Sequence, residues 1–211
     1  MKPYKTLISR ADAEFVINKS RFIGHGAPVQ TEQEALAFLR CMREQYRDAT
    51  HNCYAYILGA NMGIMRYSDD GEPGGTAGMP IIEVLKARGV TNCCCVVTRY
   101  FGGVLLGAGG LVRAYSRGAA EAVNACGVGV MYPTQRILLD VPYALLKSVE
   151  RFLAQRRVII EDKDFAVAVT LSLLVRAQEA DDLEAGLVDL SEGTLAPVRF
   201  DQFYRAWPEE E

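Results

Sequence analysis

Two stretches decide how this chain is read: Tyr67-Ser-Asp-Asp-Gly-Glu-Pro-Gly-Gly-Thr-Ala-Gly-Met-Pro80 and Arg99-Tyr-Phe-Gly-Gly-Val-Leu-Leu-Gly-Ala-Gly-Gly-Leu-Val-Arg113. The first carries three carboxylates (Asp69, Asp70, Glu72) and four glycines, and the second carries five glycines between two arginines. Glycine reaches backbone conformations closed to other residues and lets a neighbouring backbone or a ligand come close. Such density at two points implies close approach and a binding surface.

Between the two loops, Cys93-Cys-Cys-Val-Val-Thr98 is the most strand-like run of the chain, apolar on both faces as a central strand requires. Neighbouring strand residues face opposite ways, so three adjacent cysteines cannot line one metal site, and no C-x-x-C pair exists. Reduced, buried thiols are expected. Upstream, strands are expected over residues 6–17 and 20–27 with a turn at Asn18-Lys19. Thr31 precedes Glu34 by three residues, a capping box opening an amphipathic helix over 32–46. Cys53 to Leu58 reads as a buried strand, Asn61 to Gly63 as a turn and Ile64 to Tyr67 as a short strand. A helix with Pro80 in its first turn ends before Gly89, and a small-residue helix over 108–126 (Ala114, Gly118, Ala119, Ala122) suits close packing on a sheet. Gly127 to Pro133 is read as the boundary between domains at 1–132 and 133–211.

Downstream, Gln135–Val141 is a strand, and Leu145, Leu146, Val149, Phe152 and Leu153 make a helical stripe. Another strand starts at Val158, and Val167, Val169, Leu171, Leu173 and Val175 alternate in the next. Ala180, Leu183, Leu187 and Leu190 repeat at three and four, and Leu195 to Tyr204 closes the set. The order is βαββαβ, that of a ferredoxin-like domain. This half shows no chemical motif, and Trp207 with the terminal glutamates reads as a tail.

The chain has 211 residues, 50% apolar and 23% charged, which fits one or two globular domains and argues against disorder. No stretch approaches the roughly 20 apolar residues of a membrane span, and no signal-type run opens the sequence. A cytoplasmic protein without membrane contact is expected. Net charge is -3, but residues 1–132 hold 14 Lys and Arg against 11 Asp and Glu, and residues 133–211 hold 9 against 15. A mildly basic first half permits an anion-binding face without requiring one.

The second loop precedes a helix, where free N–H groups and the helix dipole favour anions. Arg99, Arg113 and Arg117 could supply charge, Gly102, Gly103, Gly109 and Gly110 close approach, and Tyr100 a stacking ring. The alternative is structural: the glycines permit packing and the arginines pair with Asp69, Asp70 or Glu72. The acidic loop, Asp69, Asp70 and Glu72 with Thr76, could hold a hard cation. Equally, Asp69 caps backbone groups, Asp70-Gly71 forms a turn and Glu72 pairs with Arg99. Neither G-x-G-x-x-G nor the P-loop pattern is met, since Val112 and Ala108 stand where glycine and lysine are needed. His51 and Cys53 share a strand face but have no evident orienting third group.

At Ser68–Pro80 and at Val97–Tyr115 the chain resembles the IMPACT family and its bacterial YigZ-like members, with weaker matches at Lys19–Ile23 and Asp48–Cys53. The resemblance implies a two-domain α/β (α+β) architecture. Its first domain would be similar to the second domain of ribosomal protein five of the small subunit, and its ferredoxin-like second to domain V of elongation factor G. It implies a role in translation regulation. The expected function is non-catalytic binding of RNA or the ribosome, with no cofactor and a possible protein partner. The alternatives are a metal-assisted enzyme acting on a small phosphorylated or nucleotide-like ligand and a protein-interaction module.

Overall fold

A computed structural model describes residues 2–207, which fall into two compact units: Tyr4–Val130, and Met131 onward together with the residues before Tyr4. In the first unit, β1 (Tyr4–Leu7), β2 (Ala11–Ile17), β3 (Ser20–Pro28), α1 (Glu32–Gln45), β4 (His51–Leu58), β5 (Ile64–Ser68), α2 (Gly78–Ala87), β6 (Cys93–Tyr100) and α3 (Gly107–Cys126) follow in order. An antiparallel sheet runs β2-β3-β6-β4-β5, with β6 at its centre.

Alternation along β6 decides the layering. Cys93, Cys95 and Val97 enter the core shared with α2 and α3, whereas Cys94 and Val96 enter the core under α1. Burial pushes the Cys93 thiol up to about 12 and raises those of Cys94 and Cys95 further, so all three stay protonated and inert. The first core centres on Phe22, stacked on Phe15 at 5.3 Å and met edge-on by the buried Tyr115 at 5.5 Å. Small residues bring α3 onto the sheet: a Cβ on Gly24 of β3 would lie 2.2 Å from the Gly118 carbonyl oxygen.

Local signals explain most element ends. Asn18 and Lys19 adopt φ of 45° and 66°, the left-handed pair that a two-residue hairpin turn needs. The Glu34 N–H donates to Thr31 Oγ1 at 3.2 Å, and Glu34 Oε2 accepts from the Gln30 N–H rather than from the cap residue itself. The strand expected over 6–17 is two strands. Ile8 and Ser9 turn their N–H groups to the Gly127 and Cys126 carbonyls, closing the C-terminal end of α3.

The second unit contains β7 (Val128–Val141, which begins in the first unit), α4 (Tyr143–Ala154), β8 (Val158–Phe165), β9 (Val169–Arg176), a 3-10 turn at Ala177–Glu179, α5 (Ala180–Leu190) and β10 (Val198–Ala206). Its strands pair in the order β10-β7-β9-β8, the ferredoxin-like arrangement. Residues 127–133, read as the boundary between domains, mostly belong to a continuous strand: Tyr132 and Pro133 pair with Arg205 and Tyr204. Val167 lies at an exposed turn ahead of β9, not in the strand. Trp207 is no tail residue, since it is buried and its indole N–H donates to Thr134 Oγ1 at 2.9 Å. The terminal glutamates lie outside the described residues.

Gly24→Ala must displace backbone at the Gly118 carbonyl and should cost about 2–3 kcal/mol in urea unfolding. Gly74→Ala, which meets open space, should shift stability by less than about 0.5 kcal/mol.

Candidate functional site: the cavity between the two glycine loops

The two loops meet. A cavity of about 410 Å³ is lined from one side by His51, Gly71 and Glu72 and from the other by Arg99, Phe101 and the first turn of α3. Gly71 and Gly107 both adopt positive φ, 87° and 69°, so each loop turns where only glycine turns without strain.

The acidic loop is held by its own backbone. Asp69 Oδ1 accepts from the N–H groups of Ala77 and Gly78 at 3.0 and 2.8 Å, and Oδ2 from that of Gly75 at 2.9 Å. It therefore caps α2, whose preceding residue Ala77 has no side chain to do so. Asp70 Oδ2 accepts from the Asn52 N–H at 2.7 Å, and Oδ1 from Arg43 at 2.9 Å. Thr76 Oγ1 donates to the Pro73 carbonyl at 2.7 Å. Among the described residues, no three His, Cys, Asp or Glu side chains converge as metal ligands do. With Asp69 and Asp70 both committed to N–H donors, the loop does not fit the hard-cation arrangement considered from its sequence.

Glu72 is different: it is 8% exposed and points inward. Its Oε1 accepts from Arg99 and from the Tyr115 hydroxyl, both at 2.7 Å, and His51 Nε2 stands 3.8 Å away. The Tyr115 hydroxyl is pushed far above its ordinary range, first by burial and further by Cys53 and Glu72, so it remains a donor. His51 Nδ1 donates to the Asp70 carbonyl at 2.8 Å, which leaves Nε2 facing the cavity side of Glu72. Cys53 donates its thiol proton to the Asp69 carbonyl, and burial raises it to about 12, far from a reactive thiolate.

The arginines separate into distinct roles. Arg99 is 5% exposed, paired with Glu72 and lying 5.5 Å from the Phe22 and Phe101 ring centres, so it is an internal strut rather than a surface contact. Its Nε is buried without a hydrogen-bond partner among the described residues. Arg117 pairs with Glu121 at 2.6 Å and stacks 4.2 Å over Phe15. Arg113 is exposed, and one guanidinium nitrogen lies 3.6 Å from where a Gly109 Cβ would stand, above the first turn of α3. Tyr100 donates its hydroxyl to Asp48 at 2.9 Å.

Among the glycines, Gly102 is required by packing: a Cβ there would lie 2.0 Å from the Lys19 carbonyl carbon, against the β2–β3 turn. Gly103 has a φ of 81° in open space, whereas Gly109 and Gly110 belong to the first turn of α3. Sequence reading did not find the Tyr115–Glu72 bond or the place of His51 on the cavity wall. The helical position of Tyr115, three residues before Gly118 on the same buried face, was the available signal.

Replacing Glu72 by Leu leaves Arg99 buried and unpaired, and should cost about 3–5 kcal/mol in urea unfolding. Asp69→Ala should cost about 2 kcal/mol through the lost helix cap, and millimolar Mg²⁺ should not raise the Tm of the unaltered protein.

Residues 18–123 match the family model of the Impact N-terminal domain, and residues 139–194 match that of a domain of unknown function. The IMPACT family member YvyE of Bacillus subtilis is 41% identical over 191 residues, covering 90% of this chain and 88% of that protein. The IMPACT family member YigZ of Escherichia coli is 37% identical over 181 residues, covering 85% and 89%. A crystal structure of a hypothetical protein superposes with a TM-score of 0.63 at 33% identity, over 95% of this chain and 98% of that one. The chain belongs to the IMPACT family.

Proposed function

We propose that this protein is a non-catalytic RNA-binding protein acting in translation, with ribosomal or ribosome-bound RNA as its partner, and that one nucleotide of the RNA chain seats at the start of α3. The observation that carries this reading is the first turn of α3: it walls a cavity of about 410 Å³, and Leu106 before it offers no side-chain cap. Uncapped N–H groups and the helix dipole favour a phosphate there. Arg113 stands over the same turn with its charge exposed, and Phe101, 46% exposed at the rim, offers a face on which a base can stack. The surplus of basic residues in this half of the chain supports the same reading. The role in translation rests on the family resemblance.

One observation favours a second reading, an enzyme acting on a small phosphorylated ligand. His51 presents Nε2 beside the buried Glu72 on the cavity wall, a pairing suited to moving a proton. Such chemistry would rest on these two groups.

Fluorescence anisotropy with a generic single-stranded RNA at several salt concentrations tests the first reading. Arg113→Ala should weaken binding and reduce the salt slope by about one unit, and Phe101→Ala should weaken it about fivefold or more. Arg117→Ala, which removes a charge already paired with Glu121, should have the smaller effect. Unchanged affinity and slope in Arg113→Ala would overturn the placement at α3. No binding by the unaltered protein at low salt would leave the small-ligand reading, in which His51→Ala abolishes turnover.

A further inference from the structure

The second unit, which showed no motif in its sequence, holds a buried guanidinium without an acid. Arg176 closes β9, where Val169, Leu171, Leu173 and Val175 face the core with α4 and α5, so strand alternation turns Arg176 to the opposite face of the sheet. It is registered against Thr134 of β7, and Tyr132 lies two residues away on that same face. The guanidinium carbon sits 4.0 Å from the Tyr132 ring centre and 5.6 Å from the Trp207 ring. Trp207 is itself fixed by its bond to Thr134 Oγ1, and that hydroxyl donates on to the Tyr132 carbonyl at 3.1 Å. The Trp207 side of the cage around Arg176 is therefore held by the fold's own hydrogen bonds.

Arg176 is only 9% exposed, and among the described residues no carboxylate lies within ion-pair distance of it. Its Nε is buried with no hydrogen-bond partner. The other buried arginine, Arg99, has Glu72 against it. A buried ion without an opposite charge is among the most destabilising features of a fold, and two aromatic faces recover only part of that cost. Arg176 borders a cavity of about 240 Å³ that Tyr132, Gln178 and Gln202 also line. That volume lies below the range of drug-sized sites and suits an anion of a few heavy atoms. A guanidinium fork against aromatic walls matches the paired oxygens of a carboxylate or phosphate, and weak hydration of the walls strengthens the contact.

We infer that Arg176, with Tyr132 and Trp207 as its walls, forms an oxyanion site in the second unit that takes a free small molecule bearing a carboxylate or phosphate group. The site is separate from the cavity at α3 and does not depend on the proposed RNA binding.

Trp207 is the one tryptophan of the chain, so intrinsic tryptophan fluorescence reports on this site alone. The full-length protein is titrated with inorganic phosphate and, separately, with citrate, at constant ionic strength set by sodium chloride. A saturable change in Trp207 emission is expected with at least one of them. Arg176→Met should abolish it, and Arg176→Lys, which keeps the charge but loses the fork, should weaken it at least tenfold. No saturable change in the unaltered protein would overturn the inference whether or not the variants fold. An equal response in Arg176→Met would overturn it as well. A response that appears only when Glu209, Glu210 and Glu211 are all changed to Gln would also overturn it, assigning the guanidinium to the chain's own acidic terminus. Preference between phosphate and citrate identifies which source of the oxyanion the site is built for.

Discussion

The Arg99–Glu72 ion pair is the contact on which both glycine loops depend. Arg99 arrives at the end of the central strand and Glu72 from the loop between β5 and α2, and they meet at 2.7 Å with both side chains nearly excluded from water. Tyr115 of α3 donates to the same carboxylate oxygen, so one atom ties sheet, acidic loop and helix together. At that depth the pair does not gain much over apolar packing of the same shape, but loss of either partner strands a charge. It acts as a specificity device: it sets where the loop of Gly71 stands against the start of α3, and thereby gives the cavity between them its width.

The remaining carboxylates of the acidic loop perform structural work of a different sort. Asp69 closes the start of α2 and Asp70 binds the start of β4 through Asn52. A sequence rich in Asp and Gly thus builds a rigid loop whose acids are largely spent on N–H groups. The start of α3 has no such acid at its N-cap residue, so the two helix starts differ: one is closed by Asp69, the other has no side-chain cap from Leu106.

The fold was legible wherever one periodicity ruled a segment. The apolar run Cys93–Val97 announced a strand buried on both faces, and the alternation from Val169 to Val175 announced one with a single covered face. Legibility failed where backbone bonds rather than side-chain pattern decide. Ile8 and Ser9 interrupt an otherwise extended segment because the end of α3 needs their N–H groups, and Gly129 and Pro133 hide the first half of a strand. At the site, residue types and spacing identified the two loops and offered the Glu72–Arg99 pair as one alternative, but could not choose it over an exposed arginine, because burial is invisible in a list of charges. Arg99, Arg113 and Arg117 look alike in sequence and occupy three environments: internal, open, and stacked on Phe15. Arg176, Tyr132 and Trp207 lie on three separate strands or strand ends, and only sheet register brings them together.

Burial of the cysteines has a practical consequence. Of the six thiols, five are shielded within the packed layers and only Cys41, on the outer side of α1, is exposed. The unaltered chain therefore carries one reachable attachment point in its first unit and one native indole in its second. A thiol-reactive acceptor at Cys41 paired with Trp207 as donor forms a built-in distance gauge, through which the arrangement of the two units in solution can be followed without changing a single residue.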